Sequence, residues 1–406
     1  MKTKLPHRSG DEPSPPLSRG GDSLSPQGGW QWVALGDVCD PDTGTCDPGK
    51  HPEATFRYVD ISSVDNRRKV ITGARPLLGK EAPSRARQVI HTNDVLVATT
   101  RPNLNAVALV SPELDSEICS TGFCVLRSNG KIDPEYLFAF VQAETFVRGL
   151  SELVKGALYP AVTDGEVRAQ KLPLPPLPDQ RRIAARLRDQ LAEVAQARAA
   201  VQAQSDTFDT LSHAVLRASL TNGNTQPLRF ADCLCEVTEG IGDNWRNYPV
   251  LGATRAGLAP AKEGVGKNPG RYKPVRPGTI FYNPMRILLG SIAMLDDDDT
   301  PGITSPDYVA MTAVEGRLSA RWFYHWFRSR YGAEFIKSMT RGAVRERLMF
   351  KRLAPASLPV PDFQHQQAAA AQFAEIKKAK AKLAEQQESL DHLPAALLRE
   401  AFAGRI

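Results

Sequence analysis

The sequence has no apolar run long enough to cross a membrane. Runs such as Ile280–Tyr282 and Ile287–Leu289 fall far short of the roughly 20 residues that a membrane span needs. The first 29 residues carry Pro, Gly, Ser and charge, without the continuous apolar stretch of a secretory signal peptide. We therefore expect a soluble, cytoplasmic chain with a disordered tail at residues 1–29.

Motifs for metal, phosphate and redox chemistry are also missing. The six cysteines form no CxxC pair and keep no metal-ligand spacing with the seven histidines, so we expect reduced and mostly buried thiols. Residues 264–267 (GVGK) have the wrong spacing for a phosphate-binding loop. The acidic run 296–299 is expected to form a solvated turn rather than a nuclease metal site.

The chain does carry an excess of positive charge, and that charge lies in blocks. The formal net charge is +6. Residues 57–87 hold eight Lys or Arg against three acids, residues 251–286 seven against one, and residues 341–352 five against one. Blocks of this kind favour an anionic partner.

The chain also repeats itself. Residues 172–175 (LPLP) have a counterpart 186 positions later at residues 358–361 (LPVP), and the same offset relates Gln180 to Gln366. Beyond the prolines the offset falls to 182, a difference of about one helical turn. Earlier parts match more loosely, as Arg101 does with Arg286. The two globular halves have thus diverged, whereas the segments after them stayed alike.

Each of these segments is predicted to be a long helix with an apolar line that recurs every seventh residue. Leu211 and Leu393 are expected beside this line. Asp179 and Asp362 are candidate N-caps, and 222–223 (NG) and Gly404 are the expected helix ends. The seam consists of Leu187, Val194, Val201, Phe208 and Val215 in the first helix, and of Ile376, Leu383, Leu390 and Leu397 in the second.

A heptad seam by itself is equally typical of a dimerisation coil. The order globular half, helix, globular half, helix instead favours pairing within one chain. If a pseudo-twofold axis relates the repeats, the two helices form an antiparallel coiled coil with one globular half at each end. A helix of roughly 40 residues is about 60 Å long, so the pair would act as a ruler.

The fold class predicted is therefore α+β, with two globular domains that are each followed by a long helix. Short strand-like runs, such as 95–99 and 279–282, precede aromatic helices expected at 136–146 and 322–331. The predicted limits are a tail at 1–29, a first globular domain at 30–172, a proline turn and helix at 173–225, a second globular domain at 226–358, and a second turn and helix at 359–406.

Loops of the globular halves offer residues suited to DNA. Contacts to phosphates need cations, and contacts to base edges use Arg, Lys, Asn and Gln. For any single arginine, a solvated charge or a local salt bridge is as good an interpretation. The candidate DNA-binding residues are Arg85, Arg87, Arg101, Asn103, Asn105, Arg255, Lys267, Arg271, Tyr272, Lys273, Asn283, Arg286, Arg341, Arg345 and Arg347.

Several strings resemble those of one known family, the specificity subunits of type I restriction-modification systems. They are residues 82–87 (APSRAR), 99–110 (TTRPNLNAVALV), 119–127 (CSTGFCVLR), 302–311 (GITSPDYVAM) and 341–354 (RGAVRERLMFKRLA), with LPxPxxxxQ before each helix. The resemblance covers residues 30–406. Its halves are similar to two different recognition subfamilies, which implies an asymmetric bipartite DNA site read by two target-recognition domains.

The resemblance also implies partners and the location of the chemistry. Such a subunit binds double-stranded DNA and two methyltransferase (modification) subunits, usually with two restriction subunits. Adenine methylation and ATP-driven cleavage belong to those partners. S-adenosylmethionine, ATP and Mg²⁺ are accordingly expected in the partner subunits, and no cofactor or metal is expected in this chain.

Catalytic motifs of a DNA adenine methyltransferase are absent from the sequence. Such an enzyme needs a Gly-rich cofactor loop and an N/D-P-P-Y/F/W tetrad for the flipped base. Residues 283–286 (NPMR) begin like the tetrad but lack its second proline and its aromatic residue, so we interpret them as a DNA-facing loop. We expect no catalytic residue. Two alternatives remain open: a free-standing DNA-bridging coiled-coil protein, and a methyltransferase in its own right.

Overall fold

The computed structural model describes residues 30–405, apart from 155, 157, 158 and 341–346. The predicted tail at 1–29 lies outside the described residues. The chain divides into two compact units: Met1–Gln196 with Leu390–Ile406, and Ala197–Ser389. The domain limits derived from the sequence stay a prediction. Within the described ranges, no helix combines the length and the apolar character that crossing a membrane requires.

The first unit has an α+β fold with two main sheets. Its elements are β1 (Gln31–Ala34), α1 (Leu35–Val38), β2 (Thr55–Val59), β3 (Val64–Asp65), β4 (Val70–Ile71), β5 (Arg75–Leu78), β6 (Ala86–Ile90), β7 (Val95–Ala98), β8 (Val107–Leu109), β9 (Glu117–Ser120), β10 (Phe123–Leu126), α2 (Pro134–Phe140), α3 (Glu144–Leu153), α4 (Asp164–Arg168), β11 (Lys171–Leu174) and the start of α5 (Leu177–Asn222). One sheet has the order β5-β2-β9-β6, with β2 and β9 parallel, and the other has the order β10-β7-β8. An antiparallel ribbon of β1 and β11 precedes α5.

The second unit repeats this plan with different strands. Its elements are the end of α5, β12 (Gln226–Arg229), α6 (Phe230–Cys233), β13 (Leu234–Glu236), β14 (Leu251–Thr254), β15 (Gly257–Pro260), β16 (Lys273–Val275), β17 (Ile280–Tyr282), β18 (Ile292–Met294), β19 (Gly302–Thr304), β20 (Val309–Ala313), α7 (Ala320–Arg328), α8 (Arg330–Thr340), α9 (Phe350–Leu353), β21 (Ser357–Val360) and the start of α10 (Phe363–Phe402). The main sheet has the order β13-β20-β17-β18, and a β12–β21 ribbon precedes α10.

The two long helices run antiparallel. In the first unit, Leu187 near the start of α5 shares a core with Phe402 at the end of α10. In the second unit, Val215 near the end of α5 shares a core with Phe373 near the start of α10. The start of each helix thus lies against the end of the other, which confirms the antiparallel coiled coil of the predicted fold class. All nine seam residues are buried or half-buried.

The structure refines the helices predicted from the sequence. Leu211 lies beside the seam, in a groove with Phe208 and Val215, but it is 45% exposed, and Leu393 is 43% exposed. Asp362 caps α10 by accepting from the His365 N–H, whereas Asp179 lies inside the first turn of α5 and is not its cap. Each aromatic helix is two short helices. The break before α8 comes at Ser329, whose Oγ accepts from two backbone N–H groups of that helix.

A buried glutamine joins the proline turn to the aromatic helices in each unit. In the first unit, Gln180 Nε2 donates to the Pro175 carbonyl (2.8 Å), and its Oε1 accepts from the Asp133 N–H (2.7 Å). Gln366 Nε2 donates to the Pro361 carbonyl (2.9 Å), and its Oε1 accepts from the Ser319 N–H (2.8 Å). These partners differ by the same 186 positions as the glutamines, so the duplication reaches individual hydrogen bonds.

Replacing Gln366 by alanine should lower the free energy of unfolding by about 2 to 3 kcal/mol, because buried backbone groups then lose their partners. Urea denaturation measures the change. Gln367, the next residue, is exposed and supplies the matched control Gln367→Ala, which should change stability little. Equal effects of the two substitutions would show that the buried amide does not hold the junction together.

Candidate nucleic-acid interface

In the first unit, the fold brings Arg85 and Arg101 to either side of one hairpin turn. The β9–β10 turn at residues 121–122 donates a backbone hydrogen bond on one side and accepts one on the other. Its Thr121 N–H donates to the Arg85 carbonyl (2.9 Å), and its Gly122 carbonyl accepts from the Thr99 N–H (2.9 Å). Both arginine side chains are exposed. Both were candidates from the sequence, and the turn between them joins their two segments into one surface.

The loop that carries Arg101 is held in a fixed conformation. A 3₁₀ turn, Pro102–Leu104, is flanked by Arg101 (φ +51°) and Asn105 (φ +46°), both in the left-handed region that few non-glycine residues adopt. The Arg101 N–H donates to the Pro160 carbonyl (2.8 Å), and Lys69 Nζ donates to the Asn105 carbonyl (2.5 Å). These bonds fix the backbone of the loop, on which Asn103 is exposed.

Lys69 is a structural cation that the sequence analysis missed. Burial lowers the pKa of its ammonium to about 8, and the nearby Asp65 carboxylate opposes that shift. A single charged residue within a basic block gives no signal of its burial. Its ammonium donates to the Asn105 carbonyl, so this lysine stabilises the loop and does not add to the exposed positive charge.

Two other predicted residues of the first unit are partly occupied by contacts within the protein. Arg87 forms an ion pair with Asp47 (3.0 Å) and is half-buried. Asn105 is half-buried, and its side-chain Nδ2 donates to the Gln142 carbonyl (3.5 Å). The exposed candidates of the first unit are therefore Arg85, Arg101 and Asn103.

Tyr159, which the sequence analysis did not single out, is almost fully exposed and immediately precedes the proline that accepts from Arg101.

In the second unit, Tyr272 and Lys273 are buried, which does not fit their predicted contact with DNA. Lys273 Nζ donates to the Tyr308 carbonyl (2.8 Å), and burial lowers the pKa of its ammonium. The Tyr272 hydroxyl accepts from the Gly266 N–H (2.9 Å). Both side chains thus stabilise the basic loop at residues 261–273. Lys267 and Arg271 of this loop are exposed.

A second segment, missed in the sequence, lies against this basic loop. The 3₁₀ helix Gly242–Asn247 packs against the 3₁₀ turn Pro269–Arg271. A Cβ at Gly240 would come within 2.3 Å of the Gly270 carbonyl oxygen, so the close approach requires glycine. Arg246 stacks over the Trp245 ring at 4.6 Å. The run 244–248 (NWRNY), which combines basic, aromatic and amide side chains, is the signal that could have identified this surface.

The remaining candidates of the second unit lie around the loop after β17. The Asn283 carboxamide accepts from the Met285 N–H (3.0 Å) and shapes the turn. Arg286 is exposed, and the stem of the Arg255 side chain lies beside Gly290 in the same loop. Arg347 is exposed, with its guanidinium 3.2 Å from the Met285 sulfur. Arg341 and Arg345 lie outside the described residues.

The acidic run is only in part the solvated turn expected from the sequence, because Asp297 and Asp298 are exposed whereas its two ends pair with cations. Asp296 is buried and accepts from Arg321 and Lys377, and these cations lower the pKa of its carboxyl against the effect of burial. Asp299 also pairs with Lys377 (3.2 Å). The run therefore joins β18 to α7 and α10. Among the described residues, no three His, Cys, Asp or Glu side chains are grouped as a metal site.

Comparisons with known proteins agree with this architecture. Residues 27–199 match the family described as type I restriction modification DNA specificity domain. A type I restriction enzyme HindI specificity subunit from Haemophilus influenzae is 25% identical over 158 residues, which cover 38% of this chain. The match spans only about a third (33%) of that relative's length.

Solved structures match over a larger part of the chain. A chain from a structural study of complex assembly and conformational transition of the type I restriction-modification system has a TM-score of 0.71 at 27% identity, and covers 94% of this chain and 99% of that one. The HsdS subunit from Thermoanaerobacter tengcongensis has a TM-score of 0.55 at 28% identity, covering 94% and 98%. An S subunit from M. genitalium, 13% identical with a TM-score of 0.52 over 92% and 97%, shares the fold. Residues 27–199 thus carry a type I restriction modification DNA specificity domain, and the chain over 94% of its length is similar to the HsdS subunit of such a system.

Proposed function

We propose that this chain is the non-catalytic DNA-recognition subunit of a type I restriction-modification complex, and that it reads a bipartite, asymmetric site in the cytoplasm. The observation that carries the proposal is the contrast between a duplicated scaffold and two unlike basic surfaces. Gln180 and Gln366 make matching hydrogen bonds. Around the equivalent loops of Arg101 and Arg286, by contrast, the two basic surfaces are completed by different elements.

The difference between these surfaces supports an asymmetric target. In the first unit, a hairpin turn joins two arginine-bearing loops. In the second, an aromatic and basic 3₁₀ segment packs on a basic loop. Base readout depends on where donors and acceptors are held in a groove, so two unlike surfaces read two unlike half-sites. The long paired helices would set the distance between the half-sites.

Two exposed leucines support the binding of two copies of one partner. Leu211 and Leu393 differ by 182 positions, the offset that relates the two helices, and both side chains are exposed. A groove of about 530 Å³ beside Leu211 is lined mainly by apolar side chains, among them Phe208, Val215 and Ile376. Equivalent apolar positions on both helices suit two identical methyltransferase subunits, one at each.

Catalysis would then belong to the partners. The methyltransferase subunits would bind S-adenosylmethionine and methylate adenine. Restriction subunits, where they join, would bind ATP and Mg²⁺ and cleave unmodified DNA. This chain would bind neither cofactor and would supply the sequence preference.

Reconstitution with a methyltransferase subunit tests the proposal. Mixing the chain with that subunit should produce adenine methylation at one split sequence, which sequencing of the methylated DNA identifies. The subunit without the chain should show no such preference. Methylation that keeps its sequence preference without the chain would refute the proposal, and S-adenosylmethionine binding by the chain alone would favour a methyltransferase in its own right.

A further inference from the structure

Two loops of the same construction occur in the two units. One follows β7 and contains the 3₁₀ turn Pro102–Leu104; the other follows β17 and contains the 3₁₀ turn Ile287–Leu289. They lie 185 positions apart, the offset that also relates Arg101 to Arg286, and each arginine directly precedes its turn. The next residue after each turn, Asn105 or Gly290, has a left-handed backbone (φ +46° and +80°).

Each turn ends on an exposed leucine. Leu104 is 48% exposed and Leu289 is 68% exposed. Single exposed apolar residues are common on protein surfaces. Here, however, the two occupy equivalent positions on rigid turns in otherwise diverged halves. A feature that both halves retain while their basic surfaces differ serves a task that both halves share.

The backbone of each loop keeps the leucine at the tip. In the first unit, Lys69 and Pro160 bind the two ends of the loop. In the second, the Gly290 N–H donates to the Ile287 carbonyl (2.9 Å), and the Leu348 N–H donates to the Pro284 carbonyl (3.2 Å). An apolar tip held on a fixed turn cannot fold back onto the protein to escape water.

The surroundings of both leucines are cationic, which indicates DNA as the occupant. Arg101 and, across the hairpin turn, Arg85 accompany Leu104. Arg286 precedes the turn of Leu289, and Arg255 lies beside the same loop. In DNA, an apolar side chain meets either a thymine methyl group or the stacked faces of a base step. A thymine contact reads sequence and would differ between unlike half-sites, so a shared leucine favours the base step.

From this construction we infer that Leu104 and Leu289 are wedges that insert between adjacent base pairs, one in each half-site, and partly unstack the DNA there. The inference rests on the proposed DNA recognition and adds an activity to it, namely deformation of the duplex. Proteins that insert apolar wedges gain contact surface by bending DNA. An opened step would also lower the free energy needed to extrude a neighbouring base for methylation.

Fluorescence of 2-aminopurine, which rises when the base is unstacked, tests the inference in the full chain bound to its methyltransferase subunit. Duplexes of the recognised sequence carry the probe at successive positions of either half-site. Wild-type complex should raise the fluorescence at one step in each half. Leu104→Ala should abolish the rise in one half-site and leave the other, and Leu289→Ala should do the reverse.

Conservative variants and binding measurements separate the possible outcomes. Leu104→Met and Leu289→Met keep a long apolar side chain and should retain the rise. An undiminished rise in the double alanine variant would overturn the wedge while leaving DNA recognition intact. Loss of the methyltransferase subunit from the double variant would instead make the tips a protein contact, and would also overturn it. Absence of site-specific binding by the wild-type complex would refute the proposed function itself.

Discussion

Replacing Leu211 and Leu393 together by aspartate is expected to strip the chain of its methyltransferase subunits and to abolish site-specific methylation. Both side chains are exposed, so the substitutions remove little from the core. In a protein interface, by contrast, a buried and unpaired carboxylate costs several kcal/mol, enough to lower affinity by more than a hundredfold. Each single variant should retain one methyltransferase subunit, because the two positions are equivalent.

The mass of the co-purified complex gives the number of methyltransferase subunits bound. Methylation of a plasmid that carries the site measures the loss of site-specific activity. Ala199 is exposed on the same helix, about 120° around it from Leu211, and Ala199→Asp is the matched control for added charge. A double variant that still carries two methyltransferase subunits would place the docking surface elsewhere on the chain.

Lengthening both helices by one heptad is expected to change the recognised sequence. Seven residues inserted between Val201 and Phe208, and seven between Leu383 and Leu390, preserve the apolar seam. They add about 10.5 Å to each helix, which corresponds to roughly three base pairs. The two half-sites should stay the same while the unread gap between them grows by that amount.

Mapping of methylated adenines in a host that expresses the variant gives the gap directly. Insertions of two residues at the same points supply the control, since they rotate the apolar line by about 200° and break the seam. Such chains should methylate no specific site. An unchanged gap in the heptad variant would show that the helices do not set the spacing.

The repeat and the helices could be predicted because their physical cause is local and periodic. A residue that returns every seventh position lies on one face of a helix regardless of what surrounds it. The seam residues Val194 and Leu383 are buried as that period requires. Leu211 and Leu393 could not be placed by the same argument, since an apolar residue beside a seam is equally suited to the core and to a partner.

The candidate DNA surfaces were predicted only in part, because composition reports charge and not burial. Lys267 and Lys273 are the same kind of residue in the same basic block, yet one is exposed and the other donates to a carbonyl inside the unit. Trp245 and Tyr159 lie outside the three blocks of concentrated positive charge and were not singled out from the sequence. Tyr159 became a candidate because the next residue accepts a hydrogen bond from Arg101. Trp245 became one because its 3₁₀ segment packs against residues 269–271.

By itself, the sequence determined the duplication, the α+β class, the paired helices and the family resemblance, because each of these is written in spacing and pattern along the chain. Only the tertiary structure decided which cations face outward, which loops share a surface, and where leucines remain uncovered. These properties depend on contacts between segments such as 69 and 105, or 85 and 121, whose separation in the chain carries no period. Burial depends on how the whole unit packs, so the identity of a lysine or arginine does not reveal whether its side chain is exposed.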